Sequence, residues 1–383
     1  MASKKQNVWW MGIVSMLTDI SSEMILPILP IFLNTVLAAN RAVIGLIEGI
    51  AESTASILKL FSGWLSDRVQ KRKMLVVIGY GLSAVTKPLL ALATAWQHVL
   101  VVRFSDRVGK GIRTSPRDAL IAESSSKKAR GMAFGLHRFL DNFGAVLGSL
   151  LAAYLLYAMP GSYRTIFWLS AIPAAVSVII AVLFIKDVKP RLKTEKEISF
   201  NLRRFDKNFR RFIIVVTLFS LANFSYAFFI LRAQSLNVAL ALIPIIYVVY
   251  NISATIFSIP AGKLSDSIGH RSTLFGGYLF FGLTAIGFAL ASASWHVWML
   301  FVLYGIGIAI IETSSRSIAS DIIKDKSIRG TAIGTYHAFV GMALLPANII
   351  FGFIANSFGE QIAFGYAGGI AFLAALLLLR VKD

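Results

Sequence analysis

Long apolar runs separated by short polar turns organise this chain from end to end. A helix needs about 20 mostly apolar residues to cross the hydrocarbon of a bilayer. On that measure spans fall at roughly 8–37, 42–65, 74–95, 98–121, 132–157 and 165–185. A second set follows at roughly 212–237, 240–262, 273–293, 297–321, 330–353 and 361–380. The pattern predicts an all-α membrane protein of about twelve transmembrane helices in two groups of six. The expected domains are a helical bundle over 1–185, a basic linker over 186–211 and a second bundle over 212–383. In the linker, Phe200, Leu202, Phe205 and Phe209 among many Lys and Arg predict an amphipathic piece lying on the membrane surface.

A constant internal shift supports two related halves. Gly63 and Gly262, Trp96 and Trp295, Arg117 and Arg316, Arg130 and Arg329, and Gly135 and Gly334 each stand 199 positions apart. One register held across four successive spans implies a parallel repeat, with the two halves related by an axis along the membrane normal.

Composition agrees with the span pattern. The 383 residues are 56% hydrophobic and only 15% charged, against about 25% charged in a soluble domain. The net charge of +19 sits in the short turns, which is membrane topology rather than a nucleic-acid-binding face. Turns near Ala38–Arg41, Ala95–His98, Met159–Arg164, Leu236–Ala239 and Ser292–His296 are nearly uncharged. The opposite side carries Lys4, Lys5, the turn at 63–73, Lys127–Arg130, the linker, His270, Arg271 and Lys324–Arg329. The positive-inside rule then places both termini in the cytoplasm, for an integral protein of the plasma (inner) membrane. With no cysteine and no clustered histidines, no thiolate or histidine metal site is expected, and neither an enzyme nor a cofactor is indicated.

The turn after the second span reads Gly63-Trp64-Leu65-Ser66-Asp67-Arg68-Val69-Gln70-Lys71-Arg72-Lys73, and a weaker copy runs from Gly262 through Asp266 to Arg271. On Gly63, Leu65, Asp67, Arg68, Lys71 and Arg72 the chain resembles the major facilitator superfamily, with Gln70 where that family has glycine. The resemblance extends over essentially the whole length. It implies a secondary transporter that is a monomer, whose partners are a small solute, the bilayer and a coupling ion, H+ first. Helix ends carry about half a unit charge, so Asp67 docked near Gly330 and Thr331, and Asp266 near Gly131, would form cytoplasmic latches of about 0.3–1 kcal/mol each. Gly63, Arg68, Arg72, Gly262 and Arg271 are expected to belong to the same gate.

Charges inside spans are costly and mark function or pairing. Asp19 and Glu23 share one face of the first helix, ahead of Pro27 and Pro30, which interrupt its hydrogen bonding. They are read as a coupling or binding pair. Arg103, Asp106, Arg107, Lys110, Arg113 and Arg117 form a stripe along the fourth span. Glu48, Glu52 and Lys59 fit either a packing network or transport. His137, Arg138 and Asp141 lie on the fifth span, and Arg232 and Glu312 stand in the second half. The expected coupling or substrate cavity comprises Asp19, Glu23, Arg107, Lys110, Arg113, Arg138, Asp141, Arg232 and Glu312. Arg107-Val108-Gly109-Lys110-Gly111 resembles the proton-coupled pattern of the family, with lysine replacing glutamine. Gly144 and Gly148 resemble its antiporter pattern, with Ser149 in place of proline. The expectation is alternating-access transport of a polar, anionic or zwitterionic solute, with efflux favoured. The alternatives are proton-coupled uptake of an organic anion or metal chelate, and a non-transporting sensor or scaffold on the same fold.

Overall fold

The computed structural model describes residues 2–69, 71–126, 129–188, 205–322 and 329–381. Among them the first half holds α1 (Ala2–Glu23), α2 (Leu29–Thr35), α3 (Arg41–Val69), α4 (Arg72–Ala91), α5 (Trp96–Ser124), α6 (Arg130–Ala158) and α7 (Tyr163–Phe184). The second half holds α8 (Lys207–Ser220), α9 (Tyr226–Ser235), α10 (Ile243–Ile268), α11 (His270–Leu290), α12 (Ser294–Asp321), α13 (Arg329–Ser357) and α14 (Glu360–Leu378). The protein is all-α, as the run lengths predict.

Eight of the described helices, α4, α6, α7 and α10 to α14, are long and apolar enough to cross a membrane. The other elements of a twelve-span arrangement are either charged, as in α1, α3 and α5, or broken, as in α1–α2 and α8–α9. Buried charge and interrupted backbone are tolerated at membrane depth only where protein or a cavity surrounds them.

The chain forms two units. Unit 1 comprises Met1–Ala38, Ile50–Lys196 and Leu240–Ile245, and unit 2 comprises Ala39–Gly49, Glu197–Ala239 and Ile246–Asp383. In unit 1, α1 packs on α6 and α7, and α4 packs on α5 and α7. Gly144 and Gly148 of α6 lie against the α1 backbone at Met16 and Ile20, closer than any side chain there would permit. Along α7, Trp168, Ile172, Val176, Ile179 and Leu183 form an exposed apolar stripe at helical spacing, the pattern of a lipid-facing surface. In unit 2, α11 packs on α12 and α14, while α8 packs on α13 and α14. Its core is aromatic, with Phe224 stacked on Phe351 at 3.6 Å between centroids and edge-on to Phe364 at 5.5 Å.

Two expectations are corrected. The run at 212–237 is not one helix: α8 ends at Ser220 and α9 starts at Tyr226, with no proline between them. The break is held by polar groups instead. Ser225 caps α9 by accepting from the Ala227 amide at 3.2 Å, and the Ser225 amide donates to Asn348 Oδ1 at 2.8 Å. Phe205 and Phe209 do not line a surface piece. Both are buried, because α8 begins at Lys207 behind an Asp206 cap that accepts from the Phe209 amide at 2.7 Å. Phe200 and Leu202 lie outside the described residues.

Candidate functional site

The α5 stripe forms as predicted, and its centre is Asp106. Its carboxylate gathers Lys87 Nζ at 3.6 Å, Arg107 Nε at 3.6 Å and Arg103 Nη1 at 4.0 Å. Arg107 turns its other end to Glu52 Oε1 at 3.5 Å. Lys87 also donates to Ser22 Oγ on α1 at 3.2 Å, so α1, α4 and α5 share one polar network within unit 1. Buried ions persist where opposite charge and hydrogen bonds replace lost water. Among the described residues Arg113 is held by neutral groups: it donates to Ser83 Oγ at 2.6 Å and Gly79 O at 3.3 Å, and lies over the Tyr80 ring at 4.6 Å. Arg117 donates to Asp118 Oδ1 at 3.0 Å and to Ser15 Oγ at 3.3 Å.

Asp19 and Glu23 contrast with this matched network. Both are half-buried on α1, and among the described residues neither has an ion-pair partner within 4 Å. Glu23 Oε2 is buried and accepts no hydrogen bond. Lys110 is exposed on α5, one turn from Arg107. On α6, the neighbour of Asp141 is His137, with Nδ1 3.4 Å from Oδ2, while Arg138 is exposed.

The turn residues divide by environment. Gly63 faces Ser115 of α5, and α3 and α5 are tied there by Ser115 Oγ to Lys59 O and Ser62 Oγ to Gly111 O, each at 2.7 Å. Arg72 is buried, donates to Ser66 Oγ at 3.2 Å and pairs with Glu123, while Arg68 is exposed. The side chains of Asp67 and Thr331 and the surroundings of Gly330 lie outside what the structure describes. In unit 2 the equivalent turn pairs Ser265 Oγ with His270 Nδ1 at 2.7 Å, and Arg271 donates to Leu379 O at 2.9 Å. Gly262 lies near Thr313, and Asp266 and Glu312 are exposed. Arg232 belongs to a separate cluster at one end of unit 2, with its guanidinium donating to Ala291 O at 2.7 Å and Phe288 O at 3.0 Å.

The model of the major facilitator superfamily matches residues 11–231 and 212–383. The chain is a member of the major facilitator superfamily. It is 38% identical to an uncharacterized MFS-type transporter of Methanocaldococcus jannaschii, over 98% of this chain and 95% of that one. The multi-drug resistance efflux pump PmrA of Streptococcus pneumoniae is 33% identical over a shorter stretch, 33% of this chain and 32% of the pump. In fold, the crystal structure of the nucleoside transporter NupG matches at a TM-score of 0.84 and 15% identity, covering 98% of this chain and 100% of that one.

For this facilitator-superfamily protein, sequence reasoning missed three partners in the polar interior. Lys87 carried a readable signal, as the one charge deep in the apolar run of α4, next to Pro88. His137 was visible as a neighbour, but only the helix rotation selects it over Arg138 for Asp141. Glu360, the first residue of α14, pairs at 2.6 Å with Arg41, a partner 319 residues away in the chain.

Proposed function

We propose that this protein is a secondary active transporter in which Asp19 and Glu23 couple solute movement to protons. The supporting observation is a contrast within unit 1: among the described residues Asp106 and Glu52 are matched by cations within 4.0 Å, whereas Asp19 and Glu23 are not. A carboxylate locked to arginine cannot exchange a proton without breaking its site; an unmatched one can. Lys110 adds an exposed positive charge on α5 of the same unit, so the unit offers both signs of charge to a zwitterion, or to an anion once an acid is protonated.

On this reading the two units alternate access to a small polar, anionic or zwitterionic solute, and the protein works as a monomer. Its place is the plasma (inner) membrane with both termini in the cytoplasm, because the basic turns share one side. Efflux is favoured over uptake, on the likeness to a pneumococcal efflux pump and the glycine pair of α6. A solute screen in proteoliposomes with an imposed pH gradient tests the proposal. Movement of a small charged solute that stops when the gradient is collapsed supports it. Equal movement with and without the gradient would remove the proton from the mechanism.

A further inference from the structure

A cavity of about 320 Å³ opens at one end of unit 2, lined by Arg41, Arg232, Asn356, Glu360 and Gln361 with the small residues Ala355 and Gly359. We propose that this cavity is a binding site for a small oxyanion, a carboxylate or phosphate, held by Arg41. The inference is independent of the proton-coupling reading and of the α1–α5 face.

The charges in the cavity do not balance. Two guanidinium groups meet one carboxylate, and that carboxylate is shared unequally. Glu360 gives Oε1 to Arg41, whose Nη2 lies at 2.6 Å and Nε at 2.8 Å. It gives Oε2 to Ser235 Oγ at 2.9 Å and Arg232 Nη1 at 3.7 Å. Glu360 therefore keeps two partners if Arg41 turns to another anion.

The two arginines also differ in freedom. Arg232 is fixed by α11 carbonyls on both Nε and Nη2, so it serves as a permanent counter-charge. Arg41 stands at the start of α3 with its side chain 30% exposed, against 8% for Arg232. Its planar fork matches an oxyanion by two parallel hydrogen bonds, and ion pairs at partly exposed positions exchange partners at low cost. Asn356 and Gln361 are the neutral polar residues of the lining, and the volume suits a small organic acid or a phosphoryl group.

Phosphate of this kind comes from solution or from the headgroup of an anionic lipid, and one titration separates the two. Inorganic phosphate is titrated calorimetrically into the purified protein in nanodiscs of phosphatidylcholine alone and in nanodiscs containing phosphatidylglycerol. Saturable binding in both supports a soluble ligand. Binding seen only in phosphatidylcholine supports occupation by the lipid headgroup. Arg41→Gln should weaken phosphate binding by at least about tenfold, the loss of one charge-assisted pair. Glu360→Gln should tighten it, because the competing carboxylate is removed. A folding defect weakens both variants alike and cannot produce opposite signs. Absence of phosphate binding in phosphatidylcholine, or binding that both variants leave unchanged, overturns the site.

Discussion

Lys87 of α4 and Asp106 of α5 stand 3.6 Å apart in the interior of unit 1, where Arg103 and Arg107 share the same carboxylate. One acid is thus the common counter-ion of three bases. Removing it takes the shared carboxylate from three bases, of which Arg107 keeps Glu52, whereas removing Lys87 leaves Asp106 with two partners. Asp106→Asn should destabilise the protein by about 3–5 kcal/mol, the cost of breaking a buried pair from one side. Lys87→Met should cost clearly less, and the double variant should be more stable than Asp106→Asn alone. Thermal unfolding in detergent ranks the three; equal losses for both single variants would show that Asp106 is not the hub.

The contact of α6 with α1 gives a second prediction. Gly148 approaches the backbone of Ile20 and the Cβ of Glu23, while Gly135, nearer the start of α6, has open space where a side chain would go. Gly148→Ala should cost about 1–3 kcal/mol and displace the Glu23 carboxyl. Gly135→Ala should be neutral or slightly stabilising, because alanine favours the helix by about 1 kcal/mol. Unfolding temperatures of the pair decide it. A harmless Gly148→Ala would mean that the two helices are not held at this spacing.

The break between α8 and α9 should depend on its polar clasp. Besides its bonds to Ala227 and Asn348, Ser225 donates to the buried Glu48 at 3.1 Å. Ser225→Ala should cost about 1 kcal/mol through the lost cap. Asn348→Ala should cost about 1–3 kcal/mol, since it leaves a buried amide without an acceptor. Hydrogen exchange over residues 226–228 should quicken in both. Unchanged exchange would show that packing alone sets the break.

What could be read from the sequence follows from what each feature depends on. Span positions and the paired halves depend on local apolar length and a repeat register, so they were legible in runs such as 165–185 and in the shift from Gly63 to Gly262. The stripe on α5 was legible because its spacing alone places Arg103, Arg107 and Lys110 on one face. Partner choice was not legible. That Asp106 faces Lys87, that Asp141 meets His137 and not Arg138, and that Arg232 ends among α11 carbonyls all depend on helix rotation between segments far apart in sequence. The discontinuity at Ser225 escaped for a related reason, since half of its clasp comes from Asn348, which is remote in the chain.

The central claim is that Asp19 and Glu23 carry the coupling. The direct test is gradient-driven transport by Asp19→Asn and Glu23→Gln in proteoliposomes, using the solute found in the screen, with solute counterflow measured in parallel. The account predicts that both variants fold, retain counterflow and lose accumulation driven by the pH gradient. Full gradient-driven accumulation by both variants would contradict it.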